Sequence, residues 1–226
     1  YTQQADAALA EIERLPGRHL YFLDDHLLSH PRFARALFEG MQGMGRLFQG
    51  ASTVNAILKD DLIERAAEAG LRSLFIGFES LDDASLVFSN KSQNLGRDYQ
   101  AAIRRLDDLG VNINGSFVFG LDGDTPDVFQ RTVEWAVDSG ITTATFHIAT
   151  PYPGTAYYRQ MQQANRLLTN DWDRYDTRQV VFEPRGMSQA QLQTGYEWAY
   201  RSFYSWSNIF RASQQHGAWN QRLHHF

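Results

Sequence analysis

Residues 68–80 read Glu68-Ala69-Gly70-Leu71-Arg72-Ser73-Leu74-Phe75-Ile76-Gly77-Phe78-Glu79-Ser80. The phrase is a polar helix end, a glycine, a short apolar run, and then a carboxylate and a hydroxyl. Glycine adopts the left-handed backbone that stops a helix at little cost, so the reading is helix, stop, strand. The same phrase recurs along the chain. Gly17 precedes His19-Leu20-Tyr21-Phe22-Leu23, and Gly45 precedes Arg46-Leu47-Phe48. Gly110 precedes residues 111–119, and Gly140 precedes residues 141–148. The interval between these glycines fits one helix, one strand and two loops, the size of a βα unit.

The segments between the runs carry helical periodicity. Leu62, Ile63, Ala66 and Ala67 form one apolar stripe, and Ala102, Ile103, Leu106 and Leu109 form another. Ser29-His30-Pro31 and Thr125-Pro126-Asp127 each place a hydroxyl cap and a first-turn proline at a helix start. Several runs are apolar at successive positions, which predicts strands covered on both faces. Strands alternating with helices argue for an α/β fold with a parallel sheet, either a partial barrel or a doubly wound sheet. The pattern stops near residue 165, short of a complete eight-fold barrel.

Beyond residue 165 the composition shifts. A helix is expected over 156–168, and Trp172, Trp198, Trp206 and Trp219 lie in this part, against Trp135 alone upstream. The expected division is a barrel region 1–165 and a helical, aromatic-rich extension 166–226. Tyr196, Trp198, Ala199, Phe203 and Tyr204 sit at near-helical spacing. Such a stripe either packs the extension onto the barrel or lines a pocket.

Composition narrows the function classes. The chain has 226 residues with 43% hydrophobic and 21% charged, enough for a packed core. Its formal charge is −5, so no basic excess is available to neutralise phosphates, and nucleic acid is not an expected partner. No run of about 18 apolar residues is present, so no transmembrane segment is expected. Cysteine is absent, which removes disulfides, thiol nucleophiles and thiolate-held iron–sulfur clusters from what these residues do alone. The start at Tyr1, without Met or an export signal, reads as a piece of a longer protein, with cytoplasm as the default location.

In parallel α/β folds, ligands bind beyond the carboxyl ends of the strands. Each apolar run here delivers polar groups to that position. The first run is followed by Asp24, Asp25 and His26, and the second by Ser52, Thr53 and Asn55. The third ends in Glu79 and Ser80, and the fourth in Gly120-Leu121-Asp122-Gly123-Asp124-Thr125. The fifth carries His147 and ends in Ile148, Thr150 and Pro151-Tyr152-Pro153-Gly154-Thr155. Asp24, Asp25 and His26 suit a divalent cation or, alternatively, a turn that caps the next helix. Glu79 closes an apolar strand, where a carboxylate needs a partner or a rim position. His147 lies inside a strand and reads as a core histidine with a satisfied ring. The loop from Gly120 lacks the phosphate-loop lysine and the dinucleotide glycine triplet.

Taken together and in order, Phe22-Leu23-Asp24-Asp25, Gly77-Phe78-Glu79-Ser80, Gly120-Leu121-Asp122-Gly123-Asp124-Thr125 and Pro151-Tyr152-Pro153-Gly154-Thr155 resemble the radical S-adenosylmethionine superfamily, in its cobalamin-dependent branch. The stretch around Trp172, Val180-Val181-Phe182-Glu183-Pro184 and Ser202-Phe203-Tyr204 is more loosely similar to the extension of hopanoid-methylase-like members. The resemblance implies a partial (β/α)6 barrel whose first strand lies upstream of Tyr1. It also implies S-adenosylmethionine and a [4Fe-4S] cluster held by a three-cysteine loop on that upstream part, with cobalamin on a separate upstream domain. The missing cysteines are the main departure from the family. Carried over by position, Asp24 and Asp25 would take the methionine ammonium, and Glu79 and Ser80 the ribose or the methionine end. Ser52 and Asn55 would make lesser polar contacts. Gly120 to Asp124 and Ile148 to Thr150 would border the adenine. The implied activity is reductive cleavage of S-adenosylmethionine in a methyltransferase-like enzyme acting on a small, apolar or lipid-like molecule with a reductant protein. Strand edges left open by the missing first unit imply self-association. Two alternatives remain: a cluster-free barrel serving as a binding module, and a metal-dependent hydrolase using Asp24, Asp25 and His26.

Overall fold

The structure, a computed structural model, describes residues 4–79 and 98–215. Its elements run α1 (Ala5–Arg14), β1 (His19–Tyr21), α2 (Pro31–Met41), β2 (Leu47–Ser52), α3 (Val54–Lys59), α4 (Leu62–Ala69), β3 (Leu71–Glu79), α5 (Tyr99–Asp108), β4 (Asn112–Phe119), α6 (Val128–Asp138), β5 (Thr143–Ile148), α7 (Ala156–Gln163), α8 (Gln189–Phe203) and α9 (Trp206–Gln215). The strands form one parallel sheet in the order β1-β2-β3-β4-β5, so the α/β expectation holds. Leu20 pairs with Phe48 and Ser52 with Ile76, and the register shifts between Phe48 and Gln49. The glycines at 17, 45, 70, 110 and 140 all have positive φ, as helix stops require.

Two compact units divide the chain across β3 and β4. The first comprises the described parts of Tyr1–Gly77 and Arg97–Asn114, the second those of Phe78–Gly96 and Gly115–Gln215. In the first unit, α2 packs on β2 through Phe38, stacked on Phe48 at 6.0 Å between ring centroids. Gly70 closes α4 at φ 115 and lies against the next chain pass: a Cβ there would stand 2.0 Å from the Arg46 carbonyl oxygen. Arg105 of α5 donates to the Glu64 carboxylate and to the carbonyls of Ile57 and Asp60, fastening α5 to the α3–α4 turn. In the second unit, Phe78, Phe117, Phe146 and Phe119 form a continuous run of stacked rings at 5.5, 5.7 and 5.6 Å. Trp135 and Phe129 of α6 meet that run edge-on.

Three expectations need correction. In β2, β3 and β5 burial alternates where cover on both faces was expected, whereas β4 is buried at three successive positions, residues 115–117. In β3, Leu74, Ile76 and Phe78 are fully buried, while Phe75, Gly77 and Glu79 are only half-buried. One face is buried and the other stays partly open. The helix starts also lie further along the chain. His30 is the N-cap of α2 and Asp127 that of α6, neither with a side-chain cap bond. Ser29 instead faces the His30 ring, and Thr125 donates to the Asp127 carboxylate. Finally, α7 ends at Gln163, not at 168. Asn165 turns left-handed at φ 53, and Leu167 then bridges antiparallel to Phe182.

Candidate functional site

Within the first unit, the segment after β1 is pinned at both ends. The Phe22 N–H donates to the Gln49 carbonyl at 2.9 Å and the Leu27 N–H to that of Ala51 at 2.8 Å. Phe22 packs edge-on against Phe48, and Leu27 and Leu28 are buried. Gly50 makes room for this seat, because a Cβ there would stand 3.0 Å from Leu27 Cδ2. Apolar pins thus hold a short loop whose Asp24 and Asp25 are exposed. Exposed carboxylates on a fixed loop can accept charge-assisted hydrogen bonds from an incoming cation.

His26 turns inward from that loop. Its Nε2 lies 3.3 Å from Thr53 Oγ1, and its Nδ1 is buried with no partner among the described residues. Burial, and then the charge of His30, push its pKa below the ordinary histidine value. Ser52 is 4% exposed, and its Oγ has no partner either. The register places Ser52 on the same face as Ile76, away from the face of Ala51 and Phe75. Asn55 is exposed in the first turn of α3. Among the described residues, no group of three or more His, Asp or Glu is placed to hold a metal ion, so the hydrolase alternative gains no support.

Within the second unit, Glu79 is the last residue of β3 and has φ 63, a left-handed conformation uncommon for a side chain of its size. Its charge raises the pKa of His147, but burial of that imidazole outweighs it and the net direction is down. His147 Nδ1 lies 3.1 Å from Thr177 Oγ1, so the expected partnered histidine is present. Thr177 is itself left-handed at φ 64, and its carbonyl accepts the Ile148 N–H at 2.7 Å. Ser80 lies outside the described residues.

The loop after β4 uses its own acid. Asp124 is 1% exposed, and its Oδ2 accepts the N–H groups of Gly120 at 2.8 Å and Leu121 at 3.0 Å. Its role is to shape the loop, and Gly120, at φ 90, fits beneath Leu192 of α8. Ile148 is fully buried, and Thr150 Oγ1 donates back to the Ile148 carbonyl at 2.9 Å. These residues can border a ligand only through backbone and packing.

Sequence reading placed Asp122 in the rim loop but missed its ion pair. Its side chain is 2% exposed and forms a two-point pair with Arg166 at 2.7 and 3.0 Å, with Arg185 at 3.3 Å. Arg166 also donates to the Glu183 carbonyl, anchoring the antiparallel bridge beyond α7. The Tyr157 hydroxyl is buried nearby without a partner among the described residues. Burial first, then the Asp122 charge, push its pKa up. The only sequence signal was two acids in one loop, and its arginine stands 44 residues away.

No family model matches the chain. Bacteriochlorophyllide d C-12(1)-methyltransferase of Chlorobaculum tepidum is 32% identical over 211 residues, 92% of this chain and 46% of that protein. Hopanoid C-2 methylase of Rhodopseudomonas palustris is 25% identical over 158 residues, 67% of this chain and 30% of that protein. Among solved structures, the radical S-adenosylmethionine methyltransferase TsrM from Kitasatospora setae, with cobalamin and a [4Fe-4S] cluster bound, superposes with a TM-score of 0.61. That likeness has 16% identity and covers 75% of this chain and 33% of the other. Fold and sequence kinship point the same way: the chain resembles a curated methyltransferase over 92% of its length and has the fold of radical S-adenosylmethionine enzymes of known structure. Its relatives are methyltransferases and cyclases, and it spans less than half the length of the two named here.

Proposed function

We propose that the protein carrying this chain is a cobalamin-dependent radical S-adenosylmethionine methyltransferase, and that this chain supplies most of the nucleoside-binding barrel. The observation that carries the reading is the kinship to a methyltransferase over 92% of the chain, joined to the strand-end placement of the carboxylates. Asp24 and Asp25, exposed on their pinned loop, accept the methionine ammonium. Glu79 meets the ribose or the methionine carboxyl end, and Ser80 follows it in sequence. His26 Nδ1 and Ser52 Oγ, without partners among the described residues, are buried polar atoms that a bound molecule or a water satisfies, and Asn55 adds an outer contact. Backbone at Gly120 and at Ile148 to Thr150 borders the adenine, with Asp124 holding its loop in shape.

The cluster is another matter. A chain with no cysteine has no thiolates to hold a [4Fe-4S] group, so its ligands belong to another part of the protein. Cobalamin likewise is assigned to a separate part. When bound, S-adenosylmethionine supplies the methyl group and the radical precursor, and these residues orient it and keep water away. The substrate is a small apolar or lipid-like molecule, as the names of the relatives suggest. A reductant protein as partner, a cytoplasmic location and self-association through the β1 edge complete the proposal. Among the described residues, no helix is long and apolar enough to cross a membrane.

The test is calorimetry of S-adenosylmethionine binding to the full-length protein after anaerobic reconstitution. Asp25→Ala and Glu79→Ala are each expected to weaken binding by about tenfold, the loss of one charge-assisted contact. Reductant-dependent release of 5′-deoxyadenosine should accompany binding by the parent protein. Unchanged affinity in both variants removes these carboxylates from the site, and absence of 5′-deoxyadenosine overturns the activity.

A further inference from the structure

Strand β5 ends the sheet, and among the described residues no strand pairs with its outer side. The Ala149 N–H donates inward to Phe119 of β4. Peptide direction alternates every residue along a strand, so Ala144, Phe146 and Ile148 turn their N–H and C=O groups outward. An open row of this kind is a template for another strand. Here the row is filled. The Tyr204 hydroxyl accepts the Ala144 N–H at 3.1 Å and donates to the Ala144 carbonyl at 2.9 Å. The Tyr200 hydroxyl does the same for Phe146, at 3.1 and 3.2 Å. The third outward N–H, that of Ile148, donates to the Thr177 carbonyl.

The fit follows from two helical and strand repeats. Four residues of α-helix rise about 6 Å, and two residues of strand span about 6.6 Å. The Tyr200 and Tyr204 rings lie stacked with centroids 6.5 Å apart, at the strand repeat. A phenol hydroxyl has one proton to give and lone pairs to receive, so each can serve both the N–H and the C=O of one residue. Two glycines let the helix come this close. A Cβ on Gly195 would stand 2.1 Å from the Phe129 ring, and one on Gly120 would stand 2.7 Å from Leu192.

We propose that Tyr200 and Tyr204 form a side-chain ladder that stands in for a strand, closing the β5 edge against pairing with a second copy of this chain. Hydrogen exchange and sedimentation of the full-length protein test it, with hydroxyl removal as the only chemical change. Tyr200→Phe is expected to speed exchange at the Phe146 amide, and Tyr204→Phe at the Ala144 amide, each by about fivefold or more. That one-to-one pattern distinguishes the ladder from general loosening and is readable from the single variants even if the double variant unfolds. The double variant Tyr200→Phe/Tyr204→Phe is expected to self-associate more tightly than the parent. Unchanged exchange at both amides, or acceleration spread evenly over β5, overturns the ladder. Faster exchange at the two sites without tighter self-association overturns its role in excluding a strand.

Discussion

Glu79 combines a left-handed backbone with the carboxylate proposed above to meet the ligand. The sequence made it conspicuous as a carboxylate closing an apolar strand, and that much was legible because burying a charge is costly. Its left-handed backbone was not legible, since Gly77-Phe78-Glu79-Ser80 offers no glycine at position 79 to signal a positive φ. A non-glycine residue in this region costs about 1–2 kcal/mol. The proposed binding role of the carboxylate would account for keeping a side chain at that cost. Replacing Glu79 by glycine or by alanine removes the same carboxylate, but only glycine relaxes the backbone. Glu79→Gly is therefore expected to be about 1 kcal/mol more stable than Glu79→Ala in urea unfolding. Both should lose S-adenosylmethionine affinity alike. Equal stability of the two variants would show that the left-handed turn is not strained.

Among the elements, the helix stops were the clearest sequence signal, yet the five glycines are not equivalent. Gly110 and Gly70 both end helices with positive φ. Around Gly110 nothing lies within 4 Å of an added Cβ, whereas at Gly70 the Arg46 carbonyl oxygen lies 2.0 Å away. Gly110→Ala is thus expected to cost about 1 kcal/mol, the conformational penalty alone. Gly70→Ala must also displace the backbone entering β2 and is expected to cost about 3 kcal/mol or more, read from denaturant midpoints. Similar losses at both positions would sink the close-approach argument. Pattern gave the stop in each case; only the fold shows what passes behind it. The caps were less legible for a related reason. Ser29 and Thr125 have the right chemistry, but their hydroxyls bond to neighbouring side chains, and each helix begins a residue or more later.

For the whole molecule, periodicity carried the α/β class and the strand-end rule nominated the polar groups, because both depend on local spacing. The Asp122–Arg166 pair depends on residues 44 positions apart and the tyrosine ladder on residues 54 and 60 apart, where no local repeat reports the encounter. A property summed over both compact units is their response to acid. His26 belongs to one unit and His147 to the other, and burial lowers the pKa of each in the folded state. The unfolded chain, titrating near pH 6.5, then binds more protons than the folded one once pH falls through that value. Stability is fully present above about pH 7 and declines as pH drops toward and below the folded values. Urea midpoints should therefore fall between pH 7.5 and 5.5, above the range where most carboxylates titrate. In His26→Asn/His147→Asn that decline should shrink, whatever the variant's stability at pH 7.5. An undiminished decline would mean that neither imidazole is held neutral by burial.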